Sequence, residues 1–388
     1  MSDALQPLVE RAVQIRHDLH RHPELMHEEH RTAVVVRTAL DALGIPWRAC
    51  ALTGTVAQLA PGRSGRCVAF RADLDALPLQ EASGVAWSSE HPGKMHACGH
   101  DGHTASLLAA AAWLKSREAE LPGPVVLIFQ PAEEGGHGAQ KMISDGALTG
   151  VDEIYGWHNW PPIPFGQARI SPGAIMASNG EWDAIITGRG GHASQPHQTI
   201  DPIVAGASFV TVVQQVVSRQ ISPTQAGVVS VTCFHAGTFD NIIPDTATLV
   251  GTVRAATTEL RDDLARRTSD MLVKTCALSG ATAHFTYRPC YPATVNHAAQ
   301  AARAAGVLAD VLGPDQVSAE GLPLMAAEDF GCFLQQCPGA FFLLGTGRAG
   351  RTMEPCHSPR FDFEDALIPL AVRIWAGLAG LDQPVRPL

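Results

Sequence analysis

The sequence predicts an α/β chain whose mixed, largely parallel sheet is interrupted by a smaller ferredoxin-like α+β insertion. Three observations predict it. Short apolar runs bounded by turn residues alternate with segments of helical period over roughly the first 160 residues. Between Trp182 and Arg288 the order becomes strand, helix, strand, strand, helix, strand over about 110 residues, a self-contained α+β unit. After Asn296 the mixed pattern resumes.

Taken in order, Leu5, Leu8, Val9, Ala12, Ile15 and Leu19 share one helical face, and a second helical stretch runs from about Glu28 to Leu43 and stops at Gly44. Cys67–Phe70 and Val125–Phe129 read as buried strands, with an alanine-rich helix from Thr104 to about Lys115 between them. Glu153–Trp157 is a third strand, and this spacing suggests a βαβ unit. Past Gly173, Trp182–Thr187 reads as a strand and Pro202–Gln220 as one long helix. Val228–Phe234 and Ala247–Arg254 follow as strands, Glu259–Leu278 as a helix, and Thr282–Arg288 as the last strand of the insertion. Helices at 297–312 and 364–380 and a strand at Phe341–Leu344 complete the chain. The expected boundaries are 1–178, 179–292 and 293–388, with the middle segment splitting the first domain.

Composition narrows the function. Of the 388 residues 46% are apolar, enough for a substantial core, and the formal net charge is −10 with no Lys/Arg block. That argues against nucleic acid or an anionic membrane as partner. The longest apolar run, Leu107–Leu114, is far short of the ~20 residues a membrane helix needs. Met1–Pro7 has no apolar run of a secretory leader, and nine scattered cysteines read as reduced thiols. A cytoplasmic address is the expectation.

The chemistry concentrates in His96-Ala-Cys98-Gly-His100-Asp101-Gly-His103. Imidazole and thiolate suit zinc and its first-row relatives. The glycines beside His100 and His103 would let the backbone turn sharply and approach an ion. In an open α/β sheet ligands bind beyond the carboxyl ends of the strands. There the sequence sets Arg71-Ala-Asp73-Leu-Asp75 after the first strand, Gln130-Pro-Ala-Glu133-Glu134 after the second and His158 after the third. Adjacent Glu133 and Glu134 point apart in extended chain, so one can bind a metal while the other faces the reacting water as a base. Asp75 can hold a ligating imidazole in its tautomer. His357 lies in the irregular loop Cys356-His-Ser-Pro359.

Blander readings compete. Alone, Pro131–Gly136 is a solvated acidic loop, His158 a satisfied core histidine, and Asp73 and Asp75 turn caps. His17, His20, His22, His27 and His30 lie on helical stretches without metal spacing and read as surface and packing; His137 has no spacing argument behind it. Gly345-Thr-Gly-Arg-Ala-Gly350 matches a dinucleotide fingerprint, but Arg351–Pro355 is a poor helix start, so a flexible glycine loop is the better reading. In the insertion, Gly188–His197 surrounds His192 with glycine, and Asn241 and Arg254 lie near strand ends. Each of those, alone, is a loop turn, a surface amide and an ordinary ion pair.

Several motifs in one order carry a resemblance: Leu19–Leu25, Arg71–Pro78, Met95–His103, Phe129–Gly135, Trp157–Asn159, Gly190–Ser194, Ala327–Phe330 and Cys356–Pro359. Together they resemble the metal-dependent amidohydrolases of peptidase family M20, in the branch of hippurate hydrolases, N-acyl-amino-acid deacylases and plant auxin-conjugate hydrolases. The resemblance implies a zinc-peptidase-like catalytic domain with an inserted lid or dimerisation domain. It also implies two divalent ions (Zn, Mn, Co or Ni) held by Cys98, His100, Glu134, His158 and His357, with Asp75 behind them. Glu133 would be the general base. His192 would polarise the scissile carbonyl, in its own subunit or a partner's. Asn241 and Arg254 would bind substrate, Arg254 through a carboxylate. The implied reaction is hydrolysis of N-acyl amino acids such as hippurate by a homodimer or homotetramer. A dipeptidase or carboxypeptidase on the same scaffold is the near alternative; a nucleotide-dependent oxidoreductase or a mere metal-binding protein is the distant one.

Overall fold

Four parallel strands occupy the middle of the main sheet: Val125–Gln130, Val68–Asp73, Glu153–Pro164 and Gly339–Gly347, side by side in that order. Their interiors are almost wholly buried, which matches near-continuous apolar runs covered on both faces. The antiparallel strands Trp47–Cys50 and Gly54–Leu59 extend one side, and the short strands Ala168–Arg169 and Val317–Ser318 extend the other. Helices Gln6–Arg21, His30–Ala42, His100–Lys115, Ala298–Leu312 and Leu367–Leu378 accompany this sheet. His100–Lys115 is buried on nearly every side, as its alanine-rich, apolar sequence permits.

This computed structural model describes residues 4–348, 350 and 354–381. It divides into two compact units: Met1–Ile175 with Val295–Leu322 and Asp329–Leu388, and Met176–Thr294 with Pro323–Glu328. Residues 323–328 thus join the second unit, although they lie far along the chain from its main body.

In the second unit the strands lie in the order Gly227–Ala236, Thr246–Ala255, Ser178–Thr187, Thr282–Pro289, all antiparallel. Numbered along the chain that is 2-3-1-4, the ferredoxin-like arrangement. Burial alternates along Ser178–Thr187 and Thr246–Ala255, so one face carries the core of Trp182, Phe209, Leu249, Leu264 and Leu272. Asp201 caps the helix Pro202–Val212 by accepting from the amides of Ile203 and Val204.

Three expectations need correction, and one element was not foreseen. The helix predicted from Thr104 begins at His100, because Gly99 supplies the turn and His100 is its first residue. The strand predicted to end at Trp157 runs to Pro164, so His158 lies within it rather than after it. Its ladder to Val68–Asp73 stops at Phe70 and Tyr155, while its ladder to Gly339–Gly347 pairs Leu343 with His158 and continues. The long helix over 202–220 is two, Pro202–Val212 and Gln214–Gln220. The β-branched run Val210-Thr-Val-Val213 disfavours helix, and Val213 takes a shallow ψ of −23°. Finally, the hairpin Trp47–Leu59 has too little apolar alternation to be read from sequence.

Candidate metal centre

Gly99 sets the geometry of the central motif. Its φ is +100°, and a Cβ there would lie 2.2 Å from Asn159 Oδ1, so only glycine fits between Cys98 and the helix that opens at His100. Gly102 has a different role from the one expected. It sits inside the helix, and a Cβ would meet the ring of buried Phe363 at 2.4 Å. It is required for close packing, not for a turn. Beyond Gln130 the chain turns at Ala132, with φ +55°, and so presents Glu133 and Glu134. His357, also left-handed at φ +67°, is tied to the central motif by its amide, which donates to Ala97 O at 2.7 Å.

Four segments, the central motif, Glu133–Glu134, His158 and His357, bring their side chains together. Donor atoms of Cys98, His100 and His158 lie within 4.8 Å of one another, as do those of Cys98, Glu134 and His357, and those of His100, Glu133 and Glu134. Cys98 belongs to both of the first two triads. Its Sγ is 3.3 Å from His158 Nε2, and His357 Nε2 is 3.1 Å from Glu134 Oε1.

The imidazole tautomers can be read from their partners. His100 Nδ1 donates to Asp75 O at 2.9 Å and to its Oδ1 at 3.2 Å. His158 Nδ1 donates to Asn159 O at 2.6 Å. Both rings therefore turn Nε2 toward the cluster, and His100 Nε2, buried, has no hydrogen-bond partner among the described residues. A buried ring nitrogen without a hydrogen-bond partner, grouped with a thiol and two carboxylates, is the arrangement a first-row divalent cation fits once the ring gives up its proton. Asp75 does double duty, because its Oδ2 accepts from Glu134 N at 2.9 Å. It fixes one imidazole and one carboxylate at once.

Electrostatics agree with a cation-seeking pocket. Burial opposes charge on His100, yet Asp73 and Asp75 outweigh it and push the group up to about 10. The Cys98 thiol is held well above its usual value by its hydrogen bond to Cys356, by burial and by Glu134. Burial, reinforced by His103, holds His158 well below the ordinary imidazole range. The pocket keeps protons on its thiol and on His100, and loading a cation there releases them.

Two supporting networks escaped the sequence reading. His103, third imidazole of the motif, is engaged at both nitrogens: Nδ1 with Asp73 Oδ1 at 2.6 Å and Nε2 with Asn159 Oδ1 at 2.7 Å. His20, read as surface or packing, is fully buried, with Nδ1 2.8 Å from Asp101 and Nε2 3.2 Å from Glu81. Asp101 also takes the guanidinium of fully buried Arg16 at 3.0 Å. Asp101 sits next to His100, so a carboxylate in the first turn of an alanine-rich helix was the available signal.

The remaining predicted residues belong to the second unit. His192 pairs with Ile242 across a two-residue ladder, and Ala193 N donates to Asn241 O at 2.9 Å, which sets His192 beside Asn241 in the backbone. His192 is exposed, and its Nδ1 accepts from Ser194 N at 3.1 Å. In the neutral ring the proton is then on Nε2. Arg254 Nη1 donates to Met325 O at 3.0 Å within the same unit. Of the glycine loop after the Gly339–Gly347 strand, Ala349 and Arg351–Met353 lie outside the described residues. Among the described residues no helix is long and apolar enough to cross a membrane.

Comparison with known proteins places this geometry. The model of peptidase family M20/M25/M40 matches residues 69–380. The chain is 41% identical over 376 residues to the IAA-amino acid hydrolase ILR1-like 2 of Arabidopsis thaliana, covering 95% of this chain and 84% of that one. It is 39% identical over 374 residues to an N-acetylcysteine deacetylase of Bacillus subtilis, covering 95% and 96%. Among solved structures, the Bacillus subtilis YXEP protein, described as a dinuclear metal-binding peptidase from the M20 family, superimposes with a TM-score of 0.83. That match has 34% identity and covers 96% of this chain and 98% of the other.

Proposed function

The chain belongs to peptidase family M20/M25/M40, and from that premise we propose that it is a binuclear metal-dependent amidohydrolase that cleaves N-acyl amino acids, hippurate-like compounds among them, to a carboxylic acid and a free amino acid. One observation carries the reading: two donor triads that share Cys98, with Glu133 beside them.

In this reading Cys98, His100, Glu134, His158 and His357 would hold the two cations, with Cys98 common to both donor triads. Zn, Mn, Co and Ni all suit the mixed thiolate, imidazole and carboxylate set. When bound, such ions supply Lewis acidity toward the scissile carbonyl and an attacking water. Glu133 takes the proton from that water and returns it to the leaving amine, a transfer its burial keeps out of bulk solvent. Asp75 keeps His100 Nε2 directed inward. His192 offers an Nε2 proton to the carbonyl oxygen, Asn241 contributes to substrate binding, and Arg254 takes the substrate carboxylate through its guanidinium.

The segment 179–292 is proposed as a lid or dimerisation domain, and the working assembly as a homodimer or homotetramer. The nine cysteines are all free, which supports a reducing, cytoplasmic setting.

The test is a panel of N-acyl amino acids assayed with protein stripped by chelator and reloaded with each of the four metals. Activity is expected to vanish on stripping and return on loading. Glu133→Gln is expected to keep its cations and fold and to lose roughly 10²- to 10⁴-fold in kcat. Near-wild-type turnover in that variant would remove Glu133 from its assigned role.

A further inference from the structure

Three motifs have no part in the metal set: Arg71 in Arg-Ala-Asp73, Gln130 before Pro-Ala-Glu133, and Asp329 in Ala327-Glu-Asp-Phe330. The structure joins them in one buried network. Arg71 and Asp329, with side chains only 1% and 0% exposed, pair through Nη2 and Oδ1 at 2.9 Å. Arg71 Nε donates to Gln130 Oε1 at 2.8 Å, which fixes the amide orientation so that Gln130 Nε2 donates to both oxygens of Asp329, at 2.9 and 2.8 Å. Ala139 N adds a third donor to Asp329 Oδ2 at 2.9 Å. Arg71 Nη1 meanwhile reaches Asp73 at 2.7 Å.

A buried carboxylate so fully surrounded by donors holds its residue in one place. What that placement provides is a backbone donor: Asp329 N lies 3.4 Å from Glu133 Oε1. Asp329 is also the first residue after the chain leaves the second unit at Glu328. Gln130 closes the strand from which Glu133 emerges three residues later. The network therefore grips both the segment carrying the base and the residue that hydrogen-bonds it.

We infer that Asp329, clamped by Arg71 and Gln130, is a positioning residue that aims Glu133 at the reacting water. The inference rests on the assignment of Glu133 as general base. A general base acts in the transition state and makes little difference to substrate binding, so misaiming it lowers kcat and leaves KM nearly unchanged. A network that merely held the fold or the cations would lower cation content or stability along with activity.

The experiment compares Asp329→Asn, Arg71→Lys and Glu133→Gln, each loaded with the same metal, by kcat, KM, cation content and thermal midpoint. In Asp329→Asn the new NH₂ must face one of the donors from Arg71, Gln130 or Ala139, which displaces the segment. The expected result is a fall in kcat of at least tenfold, KM within about twofold of wild type, and full cation content. Arg71→Lys keeps the charge but cannot serve Asp73, Gln130 and Asp329 together, so an intermediate loss with the same split is expected; it decides the matter should Asp329→Asn not fold. The inference is overturned if the folded variants keep wild-type kcat, or if their activity falls only in proportion to lost cations. If instead Glu133→Gln turns over normally, the base assignment is what fails.

Discussion

Replacing His20 by glutamine removes one proton-binding site from the buried network behind the helix His100–Lys115, and its effect can be worked out in advance. Both ring nitrogens of His20 face carboxylates, Asp101 at 2.8 Å and Glu81 at 3.2 Å, so the folded protein holds the imidazolium. Burial opposes that charge, but Asp101 outweighs it, and the group rises from 6.5 to about 9. A raised histidine stabilises the fold fully below the unfolded value and loses that contribution as pH climbs through the folded one. Between about pH 6.5 and 9 the native state binds one more proton than the unfolded state, so stability falls by about 1.4 kcal/mol per pH unit, near 3 kcal/mol in all. Urea unfolding of wild type and His20→Gln at pH 6, 7.5 and 9, at one fixed metal loading, measures this directly. The gap between the two proteins should be about 3 kcal/mol at pH 6 and should mostly close by pH 9, because groups common to both cancel. A gap that does not change with pH would refute the doubly paired imidazolium.

Further expectations follow from single contacts. Asp75→Asn sets an NH₂ against either His100 Nδ1 or Glu134 N, so cation affinity should fall roughly 10- to 100-fold, as measured by elemental analysis after dialysis against metal buffers. Gly102→Ala gains about 1 kcal/mol of helix propensity, but its Cβ would lie 2.4 Å from Phe363, and overpacking of about 1–3 kcal/mol wins. Gly306→Ala, in the helix Ala298–Leu312 with open space around it, should instead stabilise by up to about 1 kcal/mol. Thermal denaturation of the pair should move in opposite directions, and a stabilised Gly102→Ala would count against the packing argument.

The parts of this protein that announce themselves in sequence are those with a strong local signature. Apolar runs marked Val68–Asp73 and Val125–Gln130, and the insertion showed its element order because its amphipathic strands alternate. The run His96–His103 and the pair Glu133–Glu134 stand out because thiol, imidazole and adjacent acids are conspicuous among small residues; the resemblance then selects Cys98, His100, Glu134, His158 and His357, whose donor atoms the structure brings together. What could not be read is long-range. Nothing local says that Arg71 finds Asp329 across 258 positions, or that His20 is buried against Asp101 rather than solvated. The start of the helix at His100 was misplaced because two glycines in the motif look alike in sequence. Only the packing of Phe363 tells the turn-former from the close contact.

The turns at Ala132 and His357 carry a further meaning. Neither is glycine, so each left-handed backbone stands roughly 1–2 kcal/mol above its relaxed conformation. Relaxation there would swing Glu133 and His357 off their lines, so the strand end at Gln130 and the hydrogen bond from His357 N to Ala97 O must hold these peptides in place. Part of the backbone strain of this protein therefore sits at the candidate site, and mutations selected only for a calmer backbone at these two turns are expected to exchange turnover for heat resistance.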